Sequence, residues 1–221
     1  MILPDHAGWA HALFRPYLRH LCRRRFHSIH LLGDVPTLPE GAPVLLLPNH
    51  SSWWDGFFPY LLNDMLFHRE FFIMMLEHRL REFWFFRKLG AYSINQQSPK
   101  SIAETLTFTA SLLDTKNHSR SLVVMFPQGE LRPWGARPLA YNRGIEWLLK
   151  KCPAPVLMLP LAMRCELLSE EKPSVFLMCG SPHTATTDSF EGAAALEQEM
   201  MHLLNELERR IIAGEKGIRI L

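Results

Sequence analysis

The sequence predicts an α/β fold: a single domain with a mostly parallel or mixed central sheet flanked by helices, preceded by an N-terminal amphipathic helix. Three observations carry this. Short runs such as Val44-Leu45-Leu46-Leu47, Leu122-Val123-Val124-Met125-Phe126 and Val156-Leu157-Met158-Leu159 are apolar at every position, the pattern of strands buried on both faces. Amphipathic stretches of helical period separate those runs, so strands and helices alternate along the chain. The 221 residues, 48% of them hydrophobic, can build one full core, and no linker, repeat or low-complexity tract divides them.

Taken in order, residues 6–25 read as a helix with Trp9, Leu13, Tyr17 or Leu18, and Leu21 on its apolar side and arginines between them. Pro16 is expected to kink or weaken it. This basic segment, residues 1–25, suits a membrane interface, with residues 26–221 forming the domain proper. A short extended stretch, Ser28 to Leu32, and a turn-rich connection lead to the first strong strand at Val44–Leu47. A helix from near Trp54 to Phe67, a strand at Phe71–Leu76, a helix over about Arg79–Lys88 and an extended piece at Tyr92–Ile94 follow. Ser98-Pro99 is a helix start, a capping hydroxyl ahead of proline at the first helical position. That helix runs to about Asp114 with Ile102, Leu106, Ala110 and Leu113 on one side. Then come a strand at Leu122–Phe126, a helix at Asn142–Lys151 and strands at Val156–Leu161 and Val175–Cys179. A final helix, about Ser189 to Ile212, carries Leu196, Met200, Leu203, Leu207 and Ile211 at helical spacing.

Composition excludes several function classes. A net charge of +2 gives no reason to expect nucleic-acid binding. The arginines are nevertheless concentrated, with Arg15, Arg19, Arg23, Arg24 and Arg25 near the N-terminus, where they can meet an anionic bilayer surface. Cys22, Cys152, Cys165 and Cys179 form no C-x-x-C pair and read as reduced, buried thiols. No histidine pattern matches a metal-binding motif, so no metal is expected. No apolar run approaches the roughly 20 residues of a membrane span, and the N-terminus has no secretory signal core. The expected location is peripheral, on the cytoplasmic face of a membrane.

Two motifs carry chemistry. Asn49-His50-Ser51-Ser52-Trp53-Trp54-Asp55 sets an imidazole and a carboxylate five residues apart, directly after the buried strand Val44–Leu47. A carboxylate bonded to one imidazole nitrogen fixes the tautomer and frees the other nitrogen to take a proton. With no nucleophile of its own, such a base serves a nucleophile brought by the substrate. Phe126-Pro127-Gln128-Gly129-Glu130-Leu131-Arg132 stands at the end of another buried strand, where ligands bind in sheets of this kind. Its glycine permits close approach to the backbone, and Arg132 offers a planar charged fork to phosphate or carboxylate.

In this order and spacing the two motifs resemble the glycerolipid acyltransferases of the lysophosphatidic-acid acyltransferase type. Asn49-His50 through Asp55 matches the family's N-H-x-x-x-x-D signature, and Phe126-Pro127-Gln128-Gly129 is similar to its F-P-E-G block. Pro155-Val156-Leu157-Met158-Leu159-Pro160 resembles the apolar fourth block, and Gly90 through Gln96 takes the place of the second. The resemblance spans about residues 26–180 and implies a glycerol-3-phosphate acyltransferase-like fold. It also implies transfer of an acyl group from acyl-CoA or acyl carrier protein to a hydroxyl of a lipid acceptor, without a cofactor. His50 is then the general base and Asp55 its orienting partner. Gln96, Gln128, Gly129, Glu130 and Arg132 would bind the acceptor. Gln96 stands where the family's second block usually ends in arginine, and Glu130 where its third block has threonine or serine. Lys100, Arg137 and Arg143 are alternative sources of positive charge. Two other readings stay open: a lipid or thioester hydrolase using Ser51 or Ser52, and a non-catalytic peripheral membrane protein that keeps the fold.

Overall fold

The structure is a computed structural model describing residues 1–221. Helix α1 spans Gly8–Arg25 and leads to β1, Ser28–Leu32, and β2, Val44–Pro48. A 3-10 turn at Trp53–Gly56 runs into α2, Phe57–Leu62, which ends in a π turn at Asn63–Phe67. Strand β3 is Glu70–Leu76, followed by α3, Glu77–Glu82, a 3-10 segment at Trp84–Leu89, and β4, Ala91–Ile94. Next come α4, Pro99–Leu112, β5, Ser121–Val124, and α5, Gly144–Leu149. The chain finishes with β6, Val156–Glu166, β7, Ser174–Cys179, β8, His183–Ala185, α6, Ala193–Ile212, and β9, Ile218–Arg219.

All nine strands form one sheet in the order β4-β3-β5-β2-β6-β7-β1-β9, with β8 on β6. The block β4-β3-β5-β2-β6 is parallel throughout; β7 runs antiparallel to β6, and β1 is parallel to β7. This is the mixed, helix-flanked sheet expected. Strand β2 sits in its middle, between β5 and β6, with every residue buried. Val44 and Leu46 point into the core shared with α1 and α2, whereas Leu45 and Leu47 point into the core beneath α4, α5 and the start of α6. Alternate side chains leave a strand on opposite faces, so burial on both faces demands an uninterrupted apolar run.

Several elements differ from the sequence-based expectation. Strand β6 continues to Glu166 because its second half pairs with β7, although Arg164 and Glu166 hide it as a pattern. Strands β8 and β9, of three and two residues, are too short to leave a periodic signal. The helix expected at Arg79–Lys88 is two pieces divided at Phe83. Ser98 caps α4 as expected, accepting from the Ser101 backbone N–H at 3.2 Å.

Helix α1 continues unbroken past Pro16, which lies on its exposed side. Its buried stripe is Ala10, Phe14, Leu18 and Cys22. The stripe expected to be its packing side lies one residue earlier and faces outward, with Trp9 55%, Leu13 63% and Tyr17 58% exposed. Phe14 packs edge-on to Tyr60 and against Phe57, Phe85 and Phe86. The helix therefore shares the core of β1, β2, β5 and β6, and the boundary at residue 25 does not separate two cores. Residues 1–7 lie along the outer edge of β4: Ile2 and Ser93 exchange two bonds, at 2.7 and 2.9 Å, and Ala7 N–H donates to the Lys88 carbonyl at 3.1 Å. Covering the edge strand removes a free pairing edge.

Leu18→Ala should then cost about 2–5 kcal/mol of stability in chemical denaturation, as for a core leucine. Leu13→Ala, one face away, should fall within about 0.5 kcal/mol of the parent, as a surface change does.

Candidate active site

Strand β2 ends at the centre of the sheet, and the next two residues are held from both sides. Toward β6, the Asn49 carboxamide donates to the Met163 carbonyl at 3.0 Å and accepts from the Met163 N–H at 2.7 Å. Toward β5, the Gln128 carboxamide accepts from the His50 N–H at 2.6 Å and donates to the His50 carbonyl at 3.0 Å. Beyond Leu46, β2 has no strand partner on the β5 side, and a side chain continues the ladder there. The His50 carbonyl also accepts the Arg132 N–H at 2.9 Å.

The His50 side chain is 23% exposed, and its Nδ1 lies 3.0 Å from Oδ2 of the fully buried Asp55. The same oxygen accepts the backbone N–H groups of Ser51 and Ser52, and Oδ1 accepts the Ser52 hydroxyl at 2.6 Å. Ser52 caps the 3-10 turn, accepting the Trp54 N–H at 3.2 Å while Asp55 closes the capping box. Four donors thus offset the desolvation of one buried carboxylate. Because Asp55 only accepts, Nδ1 of His50 carries the proton and Nε2 is the basic nitrogen. No protein atom hydrogen-bonds Nε2. The imidazole stacks on Phe126, centroids 4.1 Å apart and planes at 24°.

The arrangement can take a proton from a group delivered by a ligand. It does not supply its own nucleophile. The Ser52 hydroxyl is committed to Asp55 and Trp54, and neither serine hydroxyl is hydrogen-bonded to the imidazole. Burial pushes the Cys165 thiol up to about 11, and the charges of Glu166 and Asp55 add to the effect, which disfavours its thiolate.

The second motif forms a turn over this site. Gly129 N–H donates to the Phe126 carbonyl at 3.0 Å, with Gly129 at φ +70°, where a side chain is strained. The group that approaches Gly129 closely is the Asn142 carboxamide, 2.6 Å from where a Cβ would stand, and not an open ligand space. Asn142 Nδ2 donates to the Gln128 carbonyl at 2.8 Å. Gln96, at the end of β4, donates to the Gly129 carbonyl at 2.9 Å and is exposed. Three strand ends, those of β2, β4 and β5, therefore meet here.

Two expected acceptor contacts are turned toward the protein. Gln128 is 1% exposed and each end of its amide bonds the His50 backbone, so it offers an acceptor no exposed polar group. Gly129 has its N–H, its carbonyl and its open face occupied by the protein. Gln96, Glu130 and Arg132 remain at the surface of the site. Arg132 pairs with Glu130 at 2.6 Å. The alternative cations are engaged elsewhere: Arg143 with Glu146, Lys100 beside Glu104, and Arg137 on the carbonyls of Trp134 and Ala136. Asn49, Phe126, Ser52 and Asn142 were not anticipated as supports. Asn49, Ser52 and Phe126 lie within the two motifs, whereas Asn142 lies beyond them and carried no such signal.

Asn49→Ala would strip both partners from the buried Met163 backbone groups. A loss of about 1–3 kcal/mol for each group left unpaired is expected in urea denaturation. A loss below about 0.5 kcal/mol, the usual surface value, would show that the strand end needs no such support.

A family model described as acyltransferase matches residues 32–164, more than half of the chain, from the end of β1 into β6. No curated protein matches the sequence. Among solved structures, the chain is similar to the crystal structure of the 1-acyl-sn-glycerophosphate (LPA) acyltransferase PlsC from Thermotoga maritima, at 14% identity and a TM-score of 0.58. That match covers 88% of this chain and 78% of the other. It shows the shared fold, an α/β domain with its central sheet flanked by helices. The matched residues include the strand ends that gather His50, Asp55 and the Phe126–Arg132 turn, and the chain belongs to the acyltransferase family.

Proposed function

We propose that this acyltransferase moves a fatty acyl group from a thioester, acyl-CoA or acyl carrier protein, to a hydroxyl of a lipid acceptor, with His50 as general base. The observation that carries the reading is the His50 ring, one nitrogen held by a fully buried carboxylate and the other unpartnered on an accessible face. Nε2 takes the acceptor hydroxyl proton as the oxygen attacks the thioester carbonyl. The tetrahedral intermediate collapses with departure of the thiolate, which receives the proton from the imidazolium. Asp55 holds the ring in the required tautomer and stabilises the imidazolium; such proton transfer is worth about 10²–10⁴ in rate.

The acceptor side favours a hydroxylated or glycosylated lipid, or a lysolipid whose phosphate is already esterified. Arg132, the guanidinium on the site turn, already has its charge matched by Glu130, and Gln96 contributes a neutral amide. A phosphomonoester dianion bound to Arg132 would lie beside the Glu130 carboxylate, which opposes it.

A membrane-bound acceptor requires the site to lie near a bilayer. No helix is long and apolar enough to cross a membrane. The outward stripe Trp9, Leu13 and Tyr17 on α1 continues through Phe85, which meets both Trp9 and Trp84. Phe83 then meets exposed Trp53, in the loop between His50 and Asp55. Rings of this kind suit headgroup depth. Arg15 and Arg19 are tied to Asp64 at 2.8 Å each, leaving Arg23, Arg24 and Arg25 exposed and unpaired to meet anionic lipid on the cytoplasmic face. This apolar face supports peripheral attachment beside the site.

His50→Ala should lose transfer by about 10²-fold or more while keeping its melting temperature, and Asp55→Asn should also fall sharply. Turnover is read as free thiol released from acyl-CoA in the presence of acceptor; a folded His50→Ala protein with parent turnover would falsify the base assignment. In the same assay, lysophosphatidate, a lysophospholipid and a glycolipid are compared. The expected order puts lysophosphatidate last, and a preference for it that Arg132→Ala abolishes would overturn the acceptor reading.

For the membrane, replacing Trp9, Leu13 and Tyr17 together by serine should reduce flotation with anionic liposomes without unfolding the protein. Neutralising Arg23–Arg25 should weaken flotation by about 1 kcal/mol per charge, less at high salt. Unchanged flotation in both variants would move the contact to another face.

A further inference from the structure

We propose that Gln128 is a positioning residue for His50, acting through the His50 main chain as a donor and acceptor at once, and not a contact for the acceptor. The inference rests on His50 as the general base. The His50 N–H needs an acceptor and its carbonyl needs a donor, because no strand flanks them on the β5 side. One carboxamide supplies both, at 2.6 and 3.0 Å. An ionised carboxylate in the same place would keep the bond from the N–H and leave the carbonyl to the Arg132 N–H alone.

The whole Phe126–Arg132 turn then works as a clamp on one residue. Phe126 stacks on the His50 ring, Gln128 holds its N–H and carbonyl, and the Arg132 N–H adds a second bond to that carbonyl. Behind Gln128, Asn142 fixes the turn by bonding the Gln128 carbonyl and, through its own N–H, the Pro127 carbonyl at 2.9 Å. The main chain of His50 sets the direction of its Cα–Cβ bond. That bond and the link to Asp55 together fix where Nε2 points. Releasing the clamp leaves the Asp55 bond intact but lets the ring and its partner loop move relative to the β5 end, where the acceptor and thioester are brought together.

Two variants separate positioning from packing and from acceptor binding. Gln128→Met keeps the volume and removes both bonds. Its kcat should fall by about 10²-fold, the usual effect of small misplacement, while KM for donor and acceptor stays within about twofold. Gln128→Glu places there the residue of the F-P-E-G block, which keeps the bond from the His50 N–H while the Arg132 N–H still serves the carbonyl. Its kcat should return to within about tenfold of the parent. Both are assayed with acyl-CoA and the acceptor the parent turns over best, with melting temperatures checked. If Gln128→Met does not fold, Gln128→Asn, whose shorter amide does not span both groups, takes its place. Parent kcat in Gln128→Met or Gln128→Asn overturns the proposal, as does a raised acceptor KM at unchanged kcat, which would return Gln128 to acceptor binding. His50→Ala in parallel keeps the two readings apart. An inactive His50→Ala beside a parent-like Gln128→Met sinks the positioning role alone, whereas an active His50→Ala removes both.

Discussion

A carboxylate with no exposure to water at the end of the central strand is the constraint on which the site depends. Burying the charge of Asp55 is costly unless hydrogen bonds replace the lost hydration. Four donors do so, and three of them belong to the two serines that follow His50. The chain must therefore turn tightly from Ser51 to Asp55, and the capping box at Ser52 is the local structure that achieves it. The fourth donor is the His50 ring itself, so satisfying the buried charge and orienting the imidazole are the same event. Any movement of this loop that frees the ring also exposes or unpairs the carboxylate.

The loop needs a rigid base because it leaves the sheet where β2 no longer has a strand on one side. Two side-chain amides extend the ladder: Asn49 onto β6 and Gln128 onto His50. Each pairs both a backbone N–H and a carbonyl, as a neighbouring strand would. Site geometry is thereby referred to β6 on one flank and to the β5 turn on the other, two elements already rigid in the sheet. Gln96 adds the end of β4 to the same assembly through the Gly129 carbonyl. The parallel block of strands makes this possible, since parallel neighbours deliver their carboxyl ends to one edge.

Helix α1 shows how one segment serves two surfaces. Its inner stripe belongs to the core of the domain, and its outer stripe adds to an apolar, aromatic surface that ends beside the His50 loop. That surface and the loop carrying Trp53 are joined through packed rings.

Much of this was legible in the sequence, and the limits have a physical pattern. Local and periodic information was decisive: runs apolar at every position marked β2, β5 and the first half of β6, a hydroxyl before proline marked the start of α4, and five-residue spacing brought His50 and Asp55 together within one turn. Those features depend on chain stiffness and on burial of both strand faces, which neighbouring residues encode. Tertiary structure alone decided the rest. The stripes Trp9/Leu13/Tyr17 and Ala10/Phe14/Leu18 have the same period, and only the aromatic partners on α2 and the Trp84–Leu89 segment select which one turns inward. Gln128 read as a ligand contact because it stands in the stretch that resembles the F-P-E-G block. Its partner is the backbone of a residue 78 positions away, and no local pattern records such a bond. The pairing of Arg132 with Glu130, the extension of β6 and the two shortest strands were likewise set by neighbours in space, because their free energy comes from partners that the chain brings near only after folding.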